Sequence, residues 1–119
     1  MRWLNILAAL TGAAALMMLA AAHHLEHDSD FNNVLVAGVA QLAAAAVGVA
    51  IANRNGLLNE IAGAIILLGA NIFAGEIYFS SFKGDHGFAF LAPIGGALMI
   101  GGWVLLAFAR PSASAGEID

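Results

Sequence analysis

The sequence predicts an all-α integral membrane protein: a bundle of four transmembrane helices, with sequence neighbours antiparallel and joined by short loops. Of its 119 residues, 61% are hydrophobic and only 10% are charged, whereas a water-soluble domain carries about 25% charged residues. Four apolar runs follow one another, each close to the roughly 20 residues that one spanning helix needs. Lipid must therefore cover much of the surface.

The first apolar run covers residues 4–22 and contains no charged side chain. With Arg2 before it and Ala20-Ala21-Ala22 at its end, it is similar to a secretory signal with a cleavage site. Because the run is long enough to cross a bilayer, we expect it to be retained as the first helix.

The remaining helices are expected at residues 34–52, 61–82 and 88–109. Together with the first they form one domain, residues 1–110, and residues 111–119 are expected to be a short, disordered polar tail. Pro93 lies inside the fourth run. A helix beginning there would measure only about 26 Å, so we expect it to begin earlier and bend at Pro93.

The basic residues predict the orientation. With four spans, both termini and the loop after the second helix share one side, which holds Arg2, Arg54 and Arg110, whereas the other side holds only Lys83. Basic residues in short loops favour the cytoplasm. The chain is therefore expected in the cell (inner) membrane, with both termini cytoplasmic and the histidine-rich loop outside.

Small residues are expected to mediate helix packing, because lipid tails are as apolar as leucine and close backbone approach must hold the helices together. One ridge follows the second helix at four-residue spacing, and a glycine pair shares a face of the fourth. The predicted packing residues are Ala40, Ala44, Gly48, Ala52, Gly95 and Gly102.

Glu76 is the most informative residue, because a lone carboxylate inside a membrane is costly and must be paired, protonated or wetted. We expect an intramembrane polar cluster of Glu76 with His23, Gln41 and Asn71. Glu76 and Asn71 are about 140° apart around the helix, so the favoured pair is Glu76 with His23. Trp3, Tyr78 and Trp103 lie near helix ends and are interpreted as interfacial anchors.

The segment after the first helix is rich in histidine and acidic residues. If helical, it would place His23 and His27 on one face at the i, i+4 spacing that metal ligands use, and His24 and His86 could contribute. A histidine cluster without cysteine or a longer motif is weak support for a divalent metal, so a solvated interfacial segment is the preferred interpretation, and no cofactor is predicted.

Several function classes lack support. A net charge of −4 without a basic stripe gives no nucleic-acid surface. The absence of cysteine excludes disulfides and thiolate ligands. With no phosphate-binding glycine loop, nucleophile elbow or HExxH motif, the sequence predicts no enzyme.

Three segments carry a resemblance to a known family: Ile72-Phe73-Ala74-Gly75-Glu76-Ile77-Tyr78, Leu91-Ala92-Pro93-Ile94-Gly95-Gly96 and Gly102-Trp103. They resemble domain of unknown function 423, also called the transmembrane-protein-256-like family, and Ala22-His23-His24-Leu25 is similar to its Ala-His-x-Leu element. The resemblance implies four spanning helices and no defined activity. Gln41 stands where the family usually has a second histidine, and Glu76 where it has serine.

Two functions are left open. The favoured one is a non-enzymatic accessory or interaction subunit of a membrane complex, in contact with the bilayer and with a membrane-protein partner or further copies of itself. The alternative is a small transport or metal/proton-handling protein that uses Glu76, His23 and the outer histidine-rich loop.

Overall fold

A computed structural model describes residues 2–110, which form four α-helices: α1 (Arg2–Ala21), α2 (Asp28–Ala52), α3 (Leu57–Lys83) and α4 (Leu91–Phe108). A 3-10 turn, Ala22–His24, follows α1. Each helix is long and apolar enough to cross a membrane. The predicted all-α, four-helix class is confirmed, whereas the tail predicted at 111–119 lies outside the described residues.

Three helices begin earlier than their apolar runs: α1 by two residues, at Arg2, and α2 and α3 by more. α2 starts at Asp28, six residues before the predicted start, and its first turn holds Asp28 and Asp30. Acidic side chains stabilise a helix N-terminus through its dipole. α3 starts four residues early, at Leu57, after Gly56 with φ 120°. Hydropathy alone could not locate these starts, because polar residues belong to both first turns.

The predicted start of α4 at residue 88 is wrong by three residues. A turn in which the Leu91 amide donates to the Phe88 carbonyl (2.9 Å) precedes the helix, so α4 begins at Leu91. Pro93 therefore lies in the first turn, where amide groups lack partners within the helix and a missing N–H costs little. The reason for expecting a bend at Pro93 disappears. α4 still measures about 27 Å.

Within residues 2–110, α1, α2 and α3 pack against one another, and α4 packs against α3 alone. We call the end with Arg2, the loop 53–56 and Ala109–Arg110 the arginine end, and the end with residues 22–27 and 84–90 the histidine end. One apolar cluster, including Leu4, Ile51 and Leu67, lies towards the arginine end. A second, including Ala22, Val34 and Ala74, lies towards the histidine end.

The structure places most of the predicted packing residues between helices. On α2, Ala44, Gly48 and Ala52 are buried and Ala40 is half-buried. A Cβ added at Gly48 would lie 2.8 Å from the Cβ of Ala8 on α1.

Gly95 and Gly102 lie on the face of α4 that contacts α3. A Cβ at Gly95 would lie 2.7 Å from the Gly69 carbonyl oxygen, and one at Gly102 would lie 2.6 Å from Cγ1 of Ile66. The two backbones thus approach each other more closely than side chains would allow.

Candidate functional site

A chain of hydrogen bonds crosses the three-helix part of the bundle. The Tyr78 hydroxyl donates to Gln41 Oε1 at 2.6 Å, Gln41 Nε2 donates to Asn71 Oδ1 at 3.1 Å, and Asn71 Nδ2 donates to Thr11 Oγ1 at 3.0 Å. These four residues, Thr11, Gln41, Asn71 and Tyr78, are the polar network. It connects α1, α2 and α3.

The polar network arises from spacing along α3. Leu67, Asn71, Ala74 and Tyr78 follow at intervals of four, three and four residues, which places them on one helix face. Asn71 Nδ2 also donates to the Leu67 carbonyl at 2.8 Å. In hydrocarbon an unpaired polar group is costly, so these mutual bonds hold the helices together.

The structure brings together only part of the predicted polar cluster. Gln41 and Asn71 bond directly, but Thr11 and Tyr78 complete the network and were not predicted in it. The interpretation of Tyr78 as an interfacial anchor is wrong, because only 8% of it is exposed and its hydroxyl points inwards, whereas Trp3 and Trp103 are 47% and 45% exposed.

Glu76 is buried on a different face of α3, with 8% of its surface exposed. It follows Gly69 by seven residues, so the two point within about 20° of each other. Gly69 contacts α4 at Gly95 and Met99. Because α3 and α4 are antiparallel, moving from Gly69 to Glu76 leads towards the first turn of α4.

This rotation places Glu76 on the side of α3 that packs against α4. Within residues 2–110 the Glu76 carboxylate makes neither a hydrogen bond nor an ion pair. It is therefore a buried acidic residue without a bonded partner among the described residues.

The expected contact between Glu76 and His23 is absent from the described residues. His23 lies in the 3-10 turn after α1, is exposed, and has its ring 5.8 Å from that of Phe31. Glu76 faces α4, which contacts only α3 in this part of the chain. Similar depth in the membrane therefore did not bring the two side chains together.

The structure does not place His23 and His27 on one helix face. The chain leaves the helical conformation after His24, with Leu25 and His27 in extended conformation, so His23 and His27 do not share a helix face. His23, His24, His27 and His86 are all exposed. Among residues 2–110, no three His, Cys, Asp or Glu side chains are grouped so that they could hold a metal ion.

At the arginine end, one side chain from the α2–α3 connection and one from the first turn of α3 bind the backbone that follows α4. Arg54 Nη2 donates to the Ala109 carbonyl at 3.1 Å, and Asn59 Nδ2 donates to the carbonyls of Arg110 and Asn55. Sequence reasoning missed these contacts, because backbone acceptors carry no residue-specific pattern.

A family model described as "Protein of unknown function (DUF423)" matches residues 13–96. The chain belongs to the DUF423 family. No solved structure matches it. The resemblance seen in the sequence is thus confirmed, and the DUF423 match includes Glu76 and three of the four polar network residues, leaving out Thr11.

Two apolar grooves lie on the outside of this DUF423 protein. The α1–α3 groove, of about 460 Å³, lies near the histidine end and is lined by Met18, Ala21, Gly75, Tyr78, Phe79, Phe82 and Lys83. The α3–α4 groove, of about 500 Å³, is lined by Ile65, Ile94, Ala97, Leu98, Gly101 and Leu105. Both grooves open to the surroundings of the bundle.

Proposed function

We propose that this DUF423 protein is a non-enzymatic accessory or interaction subunit of a membrane complex, and that a transmembrane helix of a partner or of a second copy packs against α4. The observation that carries the proposal is the position of α4, which contacts α3 alone and leaves most of its surface exposed. We propose further that the protein lies in the cell (inner) membrane, with its arginine end in the cytoplasm.

The exposed side of α4 has the chemistry of a helix-packing surface. Ala97 and Gly101 are exposed and four residues apart, which is the small-xxx-small spacing typical of close helix contacts in membranes. A Cβ at Gly101 would meet no atom within 4 Å. The other glycine face of α4, with Gly95 and Gly102, is already occupied by α3.

The polar network also supports an interaction role over transport. Its donors and acceptors are bonded to one another, and both grooves are lined almost entirely by apolar side chains. The polar groups of the network therefore bond between helices, as an interaction role requires.

Purification in mild detergent tests this function. The tagged full-length chain should retain a stoichiometric membrane-protein partner or a second copy, and Gly101→Leu should lose it by filling the α3–α4 groove. Gly75→Leu is the matched control, because a Cβ at Gly75 also meets no atom within 4 Å but lies in the other groove. A monomer without a partner, or equal retention by Gly101→Leu, would contradict the proposal.

A second candidate, proton or ion handling, is favoured by one observation: Glu76 is buried without a hydrogen bond in residues 2–110. Buried acids inside membranes often serve transport. Proteoliposomes of the wild-type chain should then show a proton or cation flux that Glu76→Gln abolishes. Glu60→Gln, in the first turn of the same helix, is the control. Flux equal to that of empty liposomes would reject this candidate.

A further inference from the structure

We infer that the α1–α3 groove binds one phospholipid of the bilayer, with an acyl chain in the groove and the phosphate at Lys83. This inference goes beyond the interaction role proposed for α4, because it concerns a different surface. It rests on the apolar lining of the groove, on the basic residue at its rim and on the rigidity of its floor.

The shape of the groove suits a hydrocarbon chain. Met18 and Ala21 of α1 face Phe79 and Phe82 of α3 across it. Gly75 leaves the groove open, because a Cβ there would meet no atom within 4 Å. The volume of about 460 Å³ lies in the ~300–1,000 Å³ range of small-molecule sites.

The polar network fixes the floor of this groove. The Tyr78 ring lines it, while the Tyr78 hydroxyl donates to Gln41 on α2 at 2.6 Å. The ring therefore keeps one orientation, with its polar atom turned away from the groove. A preformed apolar surface costs a ligand less ordering than a flexible one.

Lys83 supplies the selectivity that apolar contact cannot. Free lipid tails surround the bundle and are as apolar as the groove, so moving one into it gains no hydrophobic energy. Lys83 is exposed at the C-terminal end of α3 and belongs to the groove lining. Of the four Lys and Arg residues, it alone lies at the histidine end. Basic pockets between transmembrane helices bind lipid headgroups at the cytoplasmic face, and we propose the same attraction for Lys83 at its own face, although Asp85 lies two residues away.

Native mass spectrometry of the full chain tests the inference. The protein is reconstituted into vesicles of equal parts phosphatidylethanolamine and phosphatidylglycerol and then released in mild detergent. The wild type should retain one phospholipid. Lys83→Gln should retain it roughly five-fold more weakly, the effect expected for one basic residue near the membrane surface. Gly75→Leu should lose it, because the new side chain occupies the groove.

Gly101→Leu is the matched control, since it makes the same change in a groove whose lining includes no basic residue. It should keep the lipid and, if the proposed interaction role is right, lose the partner. Four results would overturn the lipid site: no retained phospholipid, wild-type retention in Gly75→Leu, equal loss in Gly101→Leu, or a dimer that Gly75→Leu abolishes. The first three results concern the lipid alone and do not test whether α4 binds a partner. Failure of the lipid site can therefore be distinguished from failure of the proposed interaction role.

Discussion

Asn71 is the side chain on which the polar network depends. Its Oδ1 accepts from Gln41, and its Nδ2 donates to Thr11 and to the Leu67 carbonyl. One amide thus connects α3 to both α1 and α2. In a membrane, where water offers no substitute partner, such an amide fixes how the three helices are rotated against each other.

Tyr78→Phe should destabilise the bundle by about 0.6 kcal/mol, and by no more than about 1.7 kcal/mol, as typical for one interhelical hydrogen bond in a membrane. The change removes the hydroxyl that donates to Gln41 and keeps the ring. Reversible unfolding in mixed detergent micelles measures the difference. Ser80→Ala is the control, because within residues 2–110 the Ser80 hydroxyl bonds only to the local Ile77 carbonyl. Equal stability of Tyr78→Phe and wild type would contradict a stabilising network.

The candidate site was predictable in part. Gln41 and Asn71 are conspicuous as polar residues within apolar runs, and the structure joins them. Similar depth did not bring Glu76 to His23, because depth does not fix rotation: Glu76 and Tyr78 are two positions apart, which is about 200° around α3. A tyrosine can lie at the membrane–water interface or form a hydrogen bond inside a helix bundle. The position of Tyr78 in the sequence is compatible with both locations.

The contact between α3 and α4 is made by backbone more than by side chains. A Cβ at Gly69 would lie 2.6 Å from the Met99 amide nitrogen, and one at Gly95 would meet the backbone of Phe73. Backbone atoms cannot rotate away as side chains can. The position of α4 therefore depends on these glycines.

Gly95→Ala should separate α3 from α4 and destabilise the protein by about 1–3 kcal/mol, the usual cost of overpacking. Gly96→Ala is a matched control, since its Cβ would meet nothing closer than Phe73 Cδ1 at 3.9 Å. Both changes raise helix propensity equally. The difference between the two variants in free energy of unfolding therefore reports the steric cost at Gly95. Unfolding in mixed micelles measures it, and equal stability of the two variants would refute the tight contact.

Asn59→Ala should release the backbone after α4, because Asn59 donates to the Arg110 carbonyl and one such bond contributes about 0.5–1.5 kcal/mol. A spin label on Arg110→Cys should become more mobile in this variant. Asn53→Ala is the control, since within residues 2–110 the Asn53 side chain bonds only to the Val49 carbonyl of the preceding helix, α2. If the spectrum of the spin label is unchanged in Asn59→Ala, the hydrogen bond from Asn59 does not restrain the backbone after α4.

The fold was predictable in the number, order and kind of its helices, because hydropathy marks each run that hydrocarbon can surround. The helix starts were not, since Asp28 and Pro93 suit a first turn but look like interruptions of an apolar run. The outlying position of α4 was not predictable either. Short loops require only that α4 lies beside α3, and they leave open whether α1 also contacts it.

At the scale of the whole molecule, charge divides the protein into two unlike ends. Arg2, Arg54 and Arg110 belong to the arginine end, while Glu26, Asp28, Asp30 and Asp85 accompany Lys83 at the histidine end. Basic residues in short loops resist transfer across the membrane during insertion. We therefore propose that this asymmetry sets the orientation of the bundle, with the histidine end outside.

The orientation proposed from this asymmetry can be measured directly, because the chain contains no cysteine and a single introduced thiol reports its own side. Ser29→Cys at the histidine end should react with a membrane-impermeant maleimide in intact cells. Asn55→Cys, in the exposed loop of the arginine end, should react only after the membrane is permeabilised. The reverse pattern would place Lys83 and the α1–α3 groove in the cytoplasmic leaflet, and labelling of both sites in intact cells would contradict a single orientation.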